Sequence, residues 1–100
     1  VAEARQAHAI LAGRTSGRAP SKPPASVYAI AGEYLDGPGL DPEIARWHSA
    51  ACEGSLRAAQ TLAKRADRAA DLDPEGALGL ACLARACAWA CVMAQRARRN

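Results

Sequence analysis

Apolar residues recur along this chain at three- and four-residue intervals, the period of an amphipathic helix. In residues 1–12, Val1, Ala4, Ala7 and Leu11 share one side of a short helix. Over residues 26–35 the stripe is Val27, Ile30, Ala31, Tyr34 and Leu35, with Ser26 placed to act as N-cap. DGPG at 36–39 then breaks the helix. Two further starts share one signature, LDPE, at Leu40–Glu43 and at Leu72–Glu75. In each, aspartate can cap, proline fits the first helical position, and glutamate complements the positive end of the helix dipole. The pattern predicts long helices over about 42–70 and about 74–98. The sequences that follow the two starts diverge at once, so the repetition is one of capping chemistry and not of a structural unit.

Only Asp71–Asp73 separate the long helices, which must therefore fold back as an antiparallel hairpin. Residues whose numbers sum to about 144 then lie side by side, so Cys52 is expected next to Cys91 or Val92. Alanine on both helices permits an axial separation nearer ~8 Å than 10 Å. The stretch GRTSGRAPSKPP, residues 13–24, has no apolar period and reads as a flexible linker. The expected organisation is a loosely attached arm and linker, 1–25, and a helical bundle domain, 26–100.

The last helix is apolar almost all round, with Arg85 the single charge between Ala77 and Ala94. One stripe, Leu80, Leu83, Cys87, Cys91 and Ala94, should face the hairpin partner. The other, Leu78, Cys82, Arg85, Trp89 and Val92, needs a cover that helix 26–35 is too short to complete. A second copy of the chain, or another protein, is the expected remainder. Arg85 should snorkel to an edge or pair with an acid, Glu53 being one candidate. A membrane anchor through 77–94 is a third reading. Against it, Arg85 near the centre of a span costs roughly 2.5–3.5 kcal/mol on insertion scales, and alanine, glycine and cysteine contribute little hydrophobicity.

Composition agrees with an all-α class. About a quarter of the residues are alanine, phenylalanine is absent and β-branched residues are scarce, a mixture that favours helix over strand. The net charge of +3 is slight and the basic residues are spread over every segment, which argues against a nucleic-acid partner. The densest groups, Lys64, Arg65 and Arg68 and the tail QRARRN, fall at opposite ends of the hairpin, where cations suit helix C-termini. Four cysteines in a helical chain do not resemble a secreted disulfide scaffold, and VAEARQAHAILAG lacks the pattern of a signal peptide. The expected compartment is the cytoplasm.

The candidate chemistry lies in CLARACAWAC, Cys82–Cys91. Cys87 and Cys91 are four apart, about 40° around the helix axis, and His48 and Cys52 repeat that spacing on the facing helix. One imidazole and three thiols would converge, a donor set that tetrahedral zinc and Cu(I) both accept. Cys82 lies on the far side of its helix and should not join them. The first expectation is nonetheless that the cysteines pack as small hydrophobes and that no cofactor is bound. A Cys52–Cys91 disulfide is a further alternative. A His48–Cys52 nucleophilic pair lacks a recognisable orienting group, and no phosphate loop, HExxH or nucleophile elbow occurs, so an enzyme is not expected. Trp47, Trp89 and Arg85 are the candidate interface residues. The leading expectation is a small binding protein, of adaptor, regulator or immunity type, acting through a helical face as an oligomer. Its rival is a metal protein using His48, Cys52, Cys87 and Cys91.

Overall fold

The computed structural model describes residues 2–99; Val1, expected on the apolar side of the first helix, lies outside the described residues, as does Asn100. The regular structure among them is entirely helical, in five elements: α1 (Ala2–Ala12), α2 (Ala25–Leu35), α3 (Pro42–Cys52), α4 (Leu56–Leu72) and α5 (Leu78–Arg99). The helix α5 is the axis of the bundle, and each of the other four packs on it. Its buried residues, among them Leu80, Leu83, Ala84, Cys87 and Val92, point to several sides. That encirclement is why the segment is apolar nearly all round. Although α5 has the length and hydropathy of a membrane span, half of its most apolar window is buried within the fold.

The first LDPE behaves as expected. Asp41 is the N-cap of α3, its side chain accepting from the Glu43 amide at 2.9 Å, and Pro42 opens the helix. The second does not start a helix at 74. The Asp73 carboxylate accepts from the Gly76 amide at 3.1 Å, and the Ala77 amide donates to the Asp73 carbonyl at 3.0 Å. This local bonding holds DPEGA as a turn, as aspartate side chains often do, and α5 begins at Leu78. At α2 the cap position falls on Pro24, in extended conformation and with no side-chain cap bond, rather than on Ser26.

The helix expected over 42–70 is two helices. Gly54, at φ +105°, ends α3: its amide donates to the Ala51 carbonyl at 2.9 Å, and the Ser55 amide to the Ala50 carbonyl at 3.0 Å. These are the two bonds of a Schellman motif, which wants a glycine in the left-handed region. Ser55 at once caps α4, accepting from the Ala58 amide at 3.2 Å. The hairpin is thus α4 with α5. The 73–77 turn joins one pair of ends, while Gln95 Nε2 donates to the Gly54 carbonyl at 3.1 Å at the other, so the two run antiparallel.

The N-terminal segment, expected as a loose arm, is part of the core. Ala4, Ala7 and Leu11 are buried in one cluster with α4 and α5. Glu3, not Glu53, is the partner of Arg85, with 2.8 Å between Oε2 and Nη1. Most of the second stripe of α5, Cys82, Arg85 and Val92 among it, therefore finds a cover within the chain, while Leu78 at its start stays exposed. Residues 13–24 form a strap over the bundle: the Pro20 carbonyl accepts from Trp89 Nε1 and the Ser16 carbonyl from Arg96 Nη1, each at 3.2 Å. A strap docked through its backbone carbonyls leaves no trace in an apolar period.

Candidate metal centre and adjoining cavity

The Schellman turn makes Cys52 the last residue of α3 and leaves His48 one turn before it, on the same face. From α5, Cys87 meets them. One imidazole nitrogen and the two sulfurs all lie within 4.8 Å of one another. Cys87 is buried, His48 half-buried and Cys52 exposed. Cys91, expected as the fourth donor, is buried and stands outside this group. The reason is the break at Gly54. The 144 relation holds only for one straight helix over 42–70; the chain reverses at Gly54 and α3 folds back on α4, its Asp41 and Glu43 reaching Arg65, so that Cys52 meets α5 at Cys87. Cys82 sits apart, near Glu3 and Arg85, as its helix position requires. All four thiols are free.

The two neighbouring sulfurs are not equivalent. The Cys87 thiol donates to Cys52 and, with help from His48 and against partial burial and Glu53, lowers the Cys52 thiol from its ordinary 9.0 to about 6. Cys87 is pushed well up, first by holding that hydrogen bond and then by its own burial. The negative end of the α3 dipole works against an anion at Cys52, so the thiolate depends on Cys87 and His48. The result is a solvent-reachable thiolate beside a buried, protonated thiol.

A metal ion would replace the Cys87 proton, since thiols ligate as thiolates. Two sulfurs and one nitrogen suit zinc with one position left for water, or Cu(I) with three donors; magnesium and manganese prefer oxygen. Tetrahedral zinc needs donors about 3.7 Å apart, so binding would draw this set in from separations of up to 4.8 Å.

A cavity of about 220 Å³ adjoins the cluster. Tyr28, Ala31, Gly32 and Leu35 of α2 form one wall, Leu83, Ala86, Cys87 and Ala90 of α5 the opposite one, and His48 and Cys52 of α3 close a third side. Both four-residue sets have the spacing i, i+3, i+4, i+7, which is one face of a helix. Tyr28 Oη is buried with no hydrogen-bond partner, and burial, followed by the nearby Cys52, raises its pKa. Tyr28 and Gly32 were not singled out from the sequence as site residues; a mid-helix glycine one turn after a tyrosine was the available signal.

The three expected interface residues are engaged within the chain. The Arg65 guanidinium lies 5.3 Å from the Trp47 ring centroid. Trp89 bonds the strap, and the Arg85 side chain, 18% exposed, pairs with Glu3. No known family, curated protein or solved structure matches the chain. The fold and the cluster together define a five-helix bundle with a thiol–imidazole centre on its α2–α3 side.

Proposed function

We propose that this is a small soft-metal protein in which His48, Cys52 and Cys87 hold Zn²⁺ or Cu(I). The observation that carries the reading is the convergence of the three donor atoms within 4.8 Å from two separately capped helices. Cys52 is poised as a thiolate at neutral pH, so binding has one thiol proton left to displace, that of Cys87. The adaptor expectation rested on an uncovered stripe of α5. With α1 seated on most of that stripe, what stays exposed of it is Leu78.

Native mass spectrometry of reduced protein, purified without an affinity metal and then offered zinc or Cu(I), tests the proposal. One equivalent should remain bound through exchange into metal-free buffer. Cys52→Ser and Cys87→Ser should each lose it, while Cys82→Ser and Cys91→Ser retain it. Failure of the wild type to hold metal, or equal retention in Cys87→Ser, would overturn the assignment.

A further inference from the structure

Of the four free thiols, Cys82, Cys87 and Cys91 are buried and Cys52 alone is exposed. Access decides which sulfur meets an oxidant first, so the first oxidation falls on Cys52. A solitary surface thiol would stop there, with nothing to resolve the product. Here a buried sulfur stands beside it. The Cys52 and Cys87 sulfurs lie within 4.8 Å of each other, with an imidazole nitrogen of His48 as close to both. Cys52, Cys87 and His48 also line one half-open cavity of about 220 Å³, ample for hydrogen peroxide. The fold, and not nearness along the chain, makes this pair. In an unfolded chain the shortest loops join Cys82, Cys87 and Cys91 to one another, and short loops close at least cost.

We propose that Cys52 is a reversible oxidation site for small hydroperoxides, with Cys87 as the thiol that resolves it. In the first step the Cys52 sulfur attacks one peroxide oxygen. An S–O bond forms and the O–O bond breaks. The departing oxygen takes the Cys52 proton and leaves as water, or as an alcohol from an alkyl hydroperoxide. In the second step the Cys87 sulfur attacks the sulfenic sulfur of Cys52. The S–S bond forms, the S–O bond breaks, and the sulfenic oxygen leaves as water with the Cys87 proton. The two thiols have then lost two electrons and two protons, and one peroxide has been reduced. His48 stands beside both sulfurs, where it can pass each proton to the leaving oxygen. Cys87 is fixed in the middle of α5, so the closing movement belongs to Cys52, the exposed last residue of α3. The sulfurs close from a separation of up to 4.8 Å to the roughly 2.05 Å of a disulfide. This chemistry needs no metal. In protein loaded as proposed above, the same disulfide would take both sulfur ligands from the ion.

The test treats the full chain, reduced and metal-free, with hydrogen peroxide and reads the product by intact mass and peptide mapping. The same chain unfolded in urea is the comparison. Folded protein should lose two hydrogens and carry a single link, Cys52–Cys87, reversed by dithiothreitol. The unfolded chain should lose that selectivity and join Cys82, Cys87 and Cys91 among themselves. Cys82→Ser and Cys91→Ser should form the wild-type link. Cys87→Ser should stop at a Cys52 sulfenic acid that dimedone captures. Cys52→Ser, a change at an exposed position that keeps the test valid should serine at buried Cys87 unfold the protein, should leave Cys87 reduced where the wild type is fully oxidised. A Cys52–Cys91 link in the folded wild type would overturn the inference, as would a Cys52 sulfenic or sulfinic acid that persists beside a free Cys87. Equal yields of the Cys52–Cys87 link from folded and unfolded chains, or no oxidation of the folded chain, would overturn it too. Because no metal is present, these outcomes are independent of whether His48, Cys52 and Cys87 bind one.

Discussion

The two sides of α5 are built differently from the same short alphabet. On one side α1 and α4 bring Ala4, Ala7 and Leu11, and Ala59, Leu62, Ala63 and Ala66, all buried. α1 and α4 also touch each other, so that side closes as a three-helix wedge. On the other side α2 and α3 both lie on α5 but have little contact with one another. The space between them is left to Gly32, Tyr28 and the thiol–imidazole cluster. Small residues allow helices to close up only where a third helix fills the angle between them. Where it does not, the same alanine-rich faces leave a void, and polar side chains at its edge become available for chemistry.

The contrast can be broken at its tight side first. Leu62 is fully buried and among the largest side chains in the core. Leu62→Ala should destabilise by about 2–5 kcal/mol in urea unfolding, and a loss below about 1 kcal/mol would show that the α1–α4 side is not closely packed.

A smaller effect is expected at the hinge between the two sides. Gly54 holds φ +105°, and a Cβ there would come within 2.8 Å of the Arg98 guanidinium. Gly54→Ala should lose about 1–2 kcal/mol and, because the turn positions Cys52, also weaken metal retention. Unchanged retention in a destabilised protein would separate the turn from the site.

The smallest effect belongs to the open side. In metal-free protein, alkylation of Cys52 should titrate with a midpoint near pH 6, and Cys87→Ala should move it upward toward 9 by removing the thiol donor. The same lowered pKa means that, between about 6 and 9.0, the unfolded chain binds more protons at Cys52 than the folded one. Stability therefore rises with pH across that window and is lost as pH falls through 6. Above 9, where Cys87 keeps its proton only in the folded state, stability declines again. A Cys52 midpoint that ignores the Cys87 substitution would sever the sulfur pair.

Several of these features were legible beforehand because they are local. The all-helical class, the Asp41–Pro42 start and the α2 stripe follow from composition, caps and period. The convergence of His48, Cys52 and Cys87 was foreshadowed by four-residue spacings on helices that had to meet. The Gly54–Ser55 break was written in the chain as a glycine stop followed by a serine start, but the alanine-rich period runs through it and masks it. Reading the period over the punctuation put Cys91 beside Cys52, where the structure has Cys87, one turn earlier on α5. Glu3 as the partner of Arg85 is a contact across 82 positions, and nothing in either helix alone points to the other. The cavity was invisible for another reason: it results from two helices that fail to meet, a property of their angle and not of either stripe.

X-ray absorption on protein loaded with one equivalent of zinc or Cu(I) tests the central assignment most directly. The expected shell is two sulfurs at about 2.3 Å and one imidazole nitrogen at about 2.0 Å, with zinc adding one light atom, and with an unchanged shell in Cys91→Ser. A shell of three sulfurs, or one with no sulfur, would contradict a centre built from His48, Cys52 and Cys87.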